Sequence, residues 1–504
     1  MVNISDIGGR NTHHNSKIGR VGIVGIVAVV VVGAALVALG PWLTGHFDLK
    51  VYYGATRSWL HGGELYGYVE HGRDRDYGFT YPPFGAVVFA PLAACAFPLA
   101  EVLFDAATVA ATVAVLALLL NPLARRRGWN PAPVVAAGLI LLVAFDPWRT
   151  TYNYGQVNVL LLAIVAADLL RKRGPVGIGV GLATAVKLVP AIFIGYLLLT
   201  RRFRAAAIAA GTAIGATGLA WALDPKASST YWTDLLWRSE RIGDPAFVSN
   251  QSLNGLVHRL DLGAGLWLAL ALLVVALWVV RVWRTSDPRL GFALTAVVGG
   301  LVSPITWLHH LVWLLPALVL LLDRGLHHTR RRWFLGAVLI GYGILCSRLV
   351  WRFDGRFTGW GTLGANAYLF VALGLFVILS TSGNTPGGVG VRYTTRRDPG
   401  EGGEQMTTTD YDAPRRPVAD LAEDSLEELA TRRTSAQSAT VDVDEAEQAD
   451  VYELPGAEVT DEELTVPVIP MRADEFRCSS CFLGHHRSQH AGQRNGQDLC
   501  RECI

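Results

Sequence analysis

Long apolar runs separated by short polar segments dominate the first 385 residues of the chain. The run from Val21 to Phe47 contains no Asp, Glu, Lys or Arg, and it is longer than the ~20 residues that a membrane-spanning helix needs. A cleaved signal peptide would have a shorter apolar core and would not be followed by many similar runs. We therefore predict an all-α polytopic membrane protein with about 10–12 hydrophobic helices. The further runs cover residues 102–122, 131–147, 155–170, 175–200, 205–223, 264–282, 290–306, 308–322, 334–350 and 362–380.

Lysine and arginine are concentrated in the polar segments between these runs, and this bias predicts which side of the membrane each segment faces. Placing the basic clusters in the cytoplasm of a plasma-membrane protein leaves the N-terminus and the C-terminal tail cytoplasmic as well. The clusters lie at residues 10–20, 125–127, 171–173, 201–204, 281–284 and 330–332. The segments then predicted to lie outside are 44–101, 148–154, 224–263, 303–308 and 351–361.

Two apolar stretches are predicted not to cross the membrane. Residues 81–99 contain four prolines, so we expect an interfacial or re-entrant helix there. Residues 175–200 have basic residues at both ends and Lys187 with Pro190 at their middle, so we expect a broken pair of half-helices that dip in and return. Non-helical backbone at membrane depth is tolerated where it lines a protein-enclosed cavity, and the break therefore indicates a site.

The first outer segment opens with Phe47-Asp48-Leu49-Lys50-Val51-Tyr52, directly after the first apolar run. A carboxylate at a membrane–water boundary, beside aromatic side chains, is suited to act as a general base toward a hydroxyl. Asp48 is therefore the catalytic candidate, with Tyr52 and Tyr81 as candidates for binding sugar or acceptor. The alternative is a solvated acid that ends the helix, with Tyr81-Pro82-Pro83 as a plain helix start.

Two later outer loops combine amide and aromatic side chains. Gln156 and Asn158 end the second loop, and their amides are suited to hydrogen bonding with sugar hydroxyls. Asn250 and Gln251 in the third loop are candidates for the same role. The alternative is an aromatic belt at the membrane boundary combined with helix caps.

Several cationic side chains could bind a phosphate. Lys187 lies among apolar residues at a cost of ~3 kcal/mol on insertion scales, and both lysine and half-helix N-termini favour anions. His309 and His310 at the head of a later apolar run, and Arg352 in the last outer loop, are further candidates for this role. As alternatives, Lys187 snorkels to the membrane surface, the histidines are plain interfacial or metal-binding residues, and Arg352 pairs with neighbouring acids.

Gly-rich loops of the phosphate-binding or dinucleotide-binding kind do not occur in this sequence, which disfavours ATP-driven transport and nucleotide redox chemistry. The pattern instead suits an enzyme that draws a phosphate-linked donor from the bilayer and acts at its outer surface. A secondary transporter or flippase is the rival class, because it too would have broken helices and a midplane lysine. Transporters usually contain internal repeats, and the two halves of this sequence show no similarity at matching positions.

An ordered set of motifs within residues 1–385 resembles glycosyltransferase family 87. These are the GT-C-type, polyprenyl-phosphate-mannose-dependent mannosyltransferases of mycobacteria and related actinobacteria. The motifs are Asp48-Leu49-x-Val51-Tyr52, Gly63-x-Leu65-Tyr66, Tyr81-Pro82-Pro83, Tyr154-Gly155-Gln156-x-Asn158, Gly181-Leu182-Ala183 with Lys187-x-x-Pro190, Asn250-Gln251-Ser252, and Ser303-Pro304-x-x-Trp307-x-His309-His310.

This resemblance implies an inverting transfer of mannose from a β-linked lipid phosphate to a glycolipid or lipoglycan acceptor. The product would be an α-mannoside, of the α-1,2 type found in phosphatidylinositol mannosides or lipomannan. Asp48 would be the general base, and Lys187 with His310, or its neighbour His309, would hold the donor phosphate. Gln156 and Asn158 would lie near the sugar. No cofactor is implied for the transferase, and another polyprenyl-phosphate sugar, such as arabinofuranose, is the nearest alternative donor.

The composition changes sharply after the last apolar run. The whole chain is 51% apolar with a net charge of +2, yet the 21 acidic and 9 basic residues from Met406 onward give −12. The 21 acidic and 35 basic residues before Met406 give +14. We therefore divide the chain into a membrane-embedded transferase (1–385), a disordered acidic linker (386–470) and a small C-terminal domain (471–504). The acidic tail argues against nonspecific nucleic-acid binding.

Two Cys-x-x-Cys pairs lie at the C-terminal end, formed by Cys478 with Cys481 and by Cys500 with Cys503. Their spacing is typical of a four-cysteine zinc ribbon, with a redox dithiol or a metal-free tail as alternatives. The tail resembles the actinobacterial domain of unknown function 4193, and Met406 stands where such a free-standing chain would begin. We therefore expect two joined reading frames, by true fusion or by a sequence error, and an unknown cytoplasmic partner for the ribbon.

Overall fold

The computed structural model contains two compact units, residues 1–396 and 397–504. In the first unit the structure describes residues 8–43, 45–72, 76–171, 174–327 and 332–381, and in the second 474–479, 484–494 and 497–501. The predicted disordered linker at 386–470 lies outside the described residues.

The first unit is built from helices, joined by short 3-10 turns and one small hairpin. The helices are α1 (Gly8–Leu43), α2 (Phe47–Leu60), α3 (Pro83–Ala93), α4 (Phe97–Arg126), α5 (Pro131–Ala144), α6 (Asp146–Tyr154), α7 (Asn158–Leu170), α8 (Ile178–Val186), α9 (Ile192–Leu199), α10 (Phe203–Leu223), α11 (Pro225–Thr233), α12 (Leu253–Arg259), α13 (Ala264–Arg284), α14 (Pro288–Val302), α15 (Leu315–His327), α16 (Trp333–Cys346), α17 (Trp360–Ala365) and α18 (Ala367–Thr381). Strands β1 (Glu70–His71) and β2 (Asp76–Tyr77) pair antiparallel in the hairpin.

Each predicted apolar run contains at least one of these helices, so the predicted polytopic all-α membrane fold is confirmed. Five helical segments among the described residues are long and apolar enough to cross a membrane. The pair α5 and α6 forms a sixth candidate span, bent by 77°. The five segments are Val21–Gly40, Phe97–Arg126, Phe203–Leu223, Ala264–Arg284 and Leu308–His327.

The broken segment around Lys187 folds back on itself, as the sequence predicts. Helix α8 ends at Val186, Lys187 adopts an extended conformation, and α9 follows after one 3-10 turn. Gly177 at the start of α8 packs directly against the backbone of Ala205 at the start of α10, while α9 ends only a few residues before α10. The segment therefore returns to the level at which it began, with Lys187 at its tip.

A buried carboxylate fixes the base of this re-entrant hairpin. Asp168, near the end of α7, accepts hydrogen bonds from the backbone N–H groups of Gly177 (2.9 Å) and Val180 (3.0 Å). These N–H groups belong to the first turn of a helix, where they have no intrahelical partner. Their capping by Asp168 holds the start of α8 against α7 and so sets the height of Lys187.

Ion pairs hold together one end each of helices α4, α14 and α15. Arg126 at the end of α4 pairs with Asp323 in the last turns of α15 at 2.5 Å. Arg289 of α14 lies 3.7 Å from the same carboxylate, and Arg324 pairs with Asp287 at 3.4 Å. The ends of α4, α15 and α14 that were predicted to face one side of the membrane therefore meet at one end of the unit.

The described part of the second unit consists of two antiparallel hairpins. Strand β3 (Glu475–Arg477) pairs with β4 (Gly484–His486), and β5 (His490–Arg494) pairs with β6 (Gln497–Cys500). Cys478 follows β3 and Cys500 ends β6, and the backbone N–H of Cys500 points at the Cys478 sulfur at 3.4 Å. Cys481 and Cys503 lie outside the described residues.

We predict that Gly177→Ala destabilises the membrane unit. Gly177 has φ +119°, which L-residues rarely adopt, and a Cβ there would collide with the backbone of α10. Strain of this kind costs on the order of 1–3 kcal/mol. The matched control is Gly211→Ala in α10, where a Cβ would meet no neighbouring atom within 4 Å. The thermal unfolding midpoint in detergent should fall for the first variant only, and equal midpoints would contradict the hairpin geometry.

Candidate active site

Asp48 lies in the first turn of α2, and the residue before that helix fixes its position. His46 has a left-handed backbone (φ 39°, ψ 39°), and its carbonyl accepts the N–H of Lys50 at 2.9 Å. Its own N–H donates to the carbonyl of Asn153 in α6 at 3.1 Å. The start of α2 is therefore attached to α6, and the half-buried Asp48 faces the end of that element.

The His46 ring is anchored to a third helix. It is fully buried, with Nε2 2.9 Å from an Asp105 carboxylate oxygen and Nδ1 3.3 Å from a Glu101 oxygen. Both acids belong to α4, so the ring joins the start of α2 to that helix. None of these three residues was predicted from the sequence as a cluster, although two acids four residues apart at the head of an apolar span were a usable signal.

Gln156 connects Asp48 to the rest of the site. Its amide Nε2 donates to Asp48 Oδ2 at 2.6 Å, and its Oε1 accepts the Tyr81 hydroxyl at 2.9 Å. The preceding Gly155 ends α6 with φ +67°, and a Cβ there would press against Leu49 of α2. Only glycine tolerates both conditions, so this turn brings Gln156 within reach of the carboxylate.

Two stacked tyrosines extend the hydrogen-bonded chain. The Tyr52 and Tyr81 rings lie 4.8 Å apart between centroids, at an angle of 28°, and their hydroxyls are 2.8 Å apart. Burial raises the pKa of both hydroxyls above the usual value, so both keep their protons and can donate. The Tyr81 hydroxyl thereby links the Asp48 side of the site to its cationic side.

Lys187, at the tip of the hairpin, is the centre of the cationic side of the site. Its ammonium group contacts Asn158 Oδ1 (2.9 Å), the Tyr81 hydroxyl (3.3 Å) and His310 Nε2 (2.9 Å). His310 Nδ1 lies 3.2 Å from the backbone nitrogen of Trp307, so each ring nitrogen has a possible partner and the tautomer decides which of them carries the proton. The ammonium group of Lys187 and the imidazole ring of His310 therefore meet at one point, which is a suitable arrangement for binding an anion.

A narrow, largely apolar cavity of about 20 Å³ lies beside this point. Lys187, Asn158 and His310 line its polar end, and its remaining walls come from the re-entrant hairpin, α14 and the segment leading into α15. The apolar walls include Val189, Ile192, Phe193, Ala296, Gly299 and Trp313. The pocket therefore has the polarity of an amphiphile with an anionic head.

The remaining predicted site residues lie outside this hydrogen-bonded chain. His309 is buried with its ring edge-on to His310, and its Nε2 has no hydrogen-bond partner in the part of the chain that the structure describes. Arg352 is exposed on the 3-10 turn Leu349–Phe353, and no bond between it and the Lys187 cluster is found among the described residues.

Asn250 and Gln251 are completely buried, and backbone groups satisfy their amides. Asn250 donates to the carbonyls of Pro245 and Pro304. Gln251 donates to the carbonyls of Val248 and Ala365, both at 2.7 Å. Their amides link neighbouring loops and do not face the site. The sequence had predicted contact with sugar for these two residues.

Within the described ranges, no group of three or more His, Cys, Asp or Glu side chains could hold a metal ion. Cys478 and Cys500 are buried, but the other two cysteines of the predicted zinc site fall outside those ranges.

We predict that His46→Ala strongly destabilises the membrane unit. Removing the ring takes away a hydrogen-bond partner of the buried Asp105 carboxylate, and a buried polar group that loses its partner costs about 1–3 kcal/mol, more when it is charged. The control is His71→Ala, because His71 forms an exposed pair with Asp76 at 2.8 Å and such pairs contribute little. Thermal unfolding in detergent should separate the two variants, and indistinguishable midpoints would show that the His46 cluster is not a structural anchor.

Two family descriptions match parts of the chain. The family description of glycosyltransferase family 87 matches residues 79–304, and that of domain of unknown function 4193 matches residues 406–504. No solved structure matches the chain.

The chain matches three mycobacterial relatives over most of the length of each relative. The polyprenol-phosphate-mannose-dependent alpha-(1-2)-phosphatidylinositol mannoside mannosyltransferase of Mycobacterium tuberculosis (strain H37Rv) is 33% identical over 385 residues, covering 69% of this chain and 88% of the relative. Its namesake in Mycolicibacterium smegmatis is 32% identical, covering 66% and 83%. The polyprenol-phosphate-mannose-dependent alpha-(1-2)-phosphatidylinositol pentamannoside mannosyltransferase of Mycobacterium tuberculosis (strain CDC 1551) is 36% identical, covering 63% and 75%.

These matches confirm both resemblances that the ordered motifs predicted. The apolar helices further agree with a membrane-embedded enzyme. The chain belongs to glycosyltransferase family 87, as a multi-pass membrane glycosyltransferase that carries a domain of unknown function 4193 at its C-terminal end.

Proposed function

We propose that the chain transfers mannose, with inversion, from a polyprenyl-phosphate donor to a glycolipid or lipoglycan acceptor at the outer face of the plasma membrane. The product would carry an α-1,2 linkage of the phosphatidylinositol mannoside or lipomannan type. One observation carries this proposal: hydrogen bonds run from Asp48 through Gln156 and Tyr81 to Lys187 and His310. The activities for which the relatives are named support the same donor and linkage.

The amphiphilic pocket supports a lipid-linked donor. The ammonium group of Lys187 would donate to the phosphate oxygens, and charge-assisted bonds of this kind are strong. His310 Nε2 would add a second donor in the tautomer that carries its proton there. The apolar walls beyond them would move apart to accept the first part of the polyprenyl chain, because the cavity between them is only about 20 Å³. In this pose the sugar attached to the phosphate would extend toward Asn158, Gln156 and Asp48.

The reaction then needs one base and one stabilised leaving group. The Asp48 carboxylate takes the proton of the acceptor hydroxyl while the hydroxyl oxygen attacks the anomeric carbon. The bond between that carbon and the phosphate oxygen breaks, and its electron pair leaves with the phosphate. Lys187 and His310 stabilise the negative charge that develops there. Gln156 holds one Asp48 oxygen and so orients the other toward the acceptor.

Charge placement supports an outer active site. The ion pairs of Arg126, Arg289 and Arg324 lie at one end of the unit, whereas α4 begins with Phe97 at the other end. Basic residues favour the cytoplasmic side. The site, which is built from the ends of α2, α7 and α8 remote from those pairs, would then face outward.

We predict that Asp48→Asn lowers kcat for mannosyl transfer by about 10²–10⁴-fold, the range attributed to a positioned general base. Asp76→Asn, in the neighbouring hairpin, is the matched control, because Asp76 pairs with His71 at the surface. Membranes containing each variant would receive radiolabelled polyprenyl-phosphate mannose and phosphatidylinositol mannoside. Full transfer by the Asp48 variant would refute the proposed mechanism, and a β-configured product would refute inversion.

For the C-terminal domain, we propose a zinc ribbon formed by Cys478, Cys481, Cys500 and Cys503. Support comes from the two described cysteines, which are buried at the ends of two hairpins with a backbone N–H directed at one sulfur. A thiolate bound to zinc is commonly stabilised by such outer hydrogen bonds. The metal would supply the stability that so small a core lacks.

We predict one zinc ion per purified full-length chain, measured by elemental analysis. Cys500→Ser should lower the zinc content and leave the ribbon more sensitive to proteolysis. Cys346→Ser, in α16 of the membrane unit, should leave the zinc content unchanged. A zinc-free wild-type chain purified without chelators would overturn the ribbon proposal and would leave the transferase proposal intact.

A further inference from the structure

An open groove of about 550 Å³ runs along α2, separate from the pocket at Lys187. We propose that this groove binds the phosphodiester headgroup of an anionic phospholipid at the membrane surface. The acceptor lipid is one source of such a headgroup, in which case the inference rests on the proposed function, and a neighbouring bilayer lipid is the other. Its lining residues include Lys50, Tyr53, Gly54, Arg57, His61 and Tyr68.

Helical spacing puts the cations of the groove on one face of α2. Lys50, Arg57 and His61 are separated by seven and four residues, close to two turns and one turn of an α-helix. Leu49 and Tyr52 occupy the opposite, buried face, on which the side chain of Asp48 also lies by this spacing. The groove is thus a second polar surface of the helix that carries the proposed base.

Hydrogen bonds hold the side chains of Arg57 and His61 in place. Arg57 Nη1 donates to the Tyr53 hydroxyl (2.9 Å) and to the carbonyls of Ala93 (3.2 Å) and Cys95 (3.4 Å). All three bonds use Nη1, so Nε and Nη2 can donate to a ligand. His61 Nδ1 bonds to the Arg57 carbonyl at 2.7 Å, which directs Nε2 away from the helix.

The carboxylate of Glu70, which also lines the groove, is hydrogen-bonded to Tyr68. Glu70 accepts the Tyr68 hydroxyl at 2.5 Å, and burial together with that hydrogen bond raises the pKa of Tyr68 to about 12. Tyr68 therefore remains protonated and keeps donating to Glu70. Gly54 makes this arrangement possible, because a Cβ there would collide with the Tyr68 hydroxyl. Two cationic side chains, Lys50 and Arg57, thus face one acid that already has a donor.

The groove lies at the level of the membrane surface. Phe97, which lines it, is the first residue of the spanning helix α4. Arg126 at the other end of that helix lies about 45 Å away for 30 residues at ~1.5 Å each. Under the proposed topology, Lys50 and Arg57 are therefore cations on the outer side, contrary to the usual bias. A lipid phosphodiester within reach would account for them.

The test compares acceptors with and without a phosphodiester. Full-length protein in phosphatidylcholine nanodiscs would receive polyprenyl-phosphate mannose with either phosphatidylinositol mannoside or a neutral alkyl mannoside. In Lys50→Gln/Arg57→Gln, the KM for the phosphatidylinositol mannoside should rise about tenfold or more, equivalent to ~1.4 kcal/mol of binding. The KM for the neutral acceptor and both kcat values should stay unchanged. Lys226→Gln, at an exposed pair with Glu64, is the control for loss of a cation that does not line the groove.

A second arm reads lipid binding without turnover. Native mass spectrometry after exchange into mixed phosphatidylglycerol and phosphatidylcholine should show retained phosphatidylglycerol on wild type and less on the double variant. Loss of phosphatidylglycerol with an unchanged acceptor KM would assign the groove to a bilayer lipid. Unchanged lipid retention together with an unchanged KM, or equal KM changes for both acceptors, would overturn the proposal. If wild type transfers mannose to neither acceptor, the proposed function fails, and the lipid measurement still decides the groove.

Discussion

A lysine at the tip of a re-entrant hairpin is the constraint around which the site is arranged. An ammonium group among apolar residues is stable only where polar groups replace its water. Lys187 finds those groups on separate elements: Asn158 at the start of α7, Tyr81 before α3, and His310 before α15. These residues are far apart in sequence, so the requirement to surround one cation brings distant helix ends to one level. The same requirement places the Lys187 ammonium group next to the His310 ring.

The carboxylate side of the site has its own supports. Two left-handed backbone positions, His46 before α2 and Gly155 after α6, bring Asp48 and Gln156 together. The buried acids of α4 hold the His46 ring. The base and the cationic pocket are therefore positioned by different elements and are joined by the amide of Gln156 and the hydroxyl of Tyr81. This separation suits a reaction in which a proton is removed at one point and negative charge develops at another.

Much of this arrangement was predictable from the sequence. Long apolar runs predicted the helices, and a lysine beside a proline at the middle of one such run predicted the hairpin. The motif order grouped Asp48, Gln156 and Lys187 before any geometry was known. Amides were harder, because sequence does not reveal whether the partner of a side chain is a sugar or a carbonyl. Gln251 is an example, because its amide donates to backbone carbonyls. The partners of His46 were also hard to predict, because they belong to a helix 55 residues or more away in the sequence.

The most direct test is a cryo-EM structure with a polyprenyl phosphonate analogue of the mannose donor, whose phosphonate cannot leave. The phosphonate oxygens should lie within ~3 Å of Lys187 Nζ and His310 Nε2, with the lipid chain along Val189 and Phe193. The anomeric carbon should face Asp48 across a gap that an acceptor hydroxyl can enter. A phosphonate bound away from Lys187, or a sugar that points away from Asp48, would contradict the assignment of donor site and base.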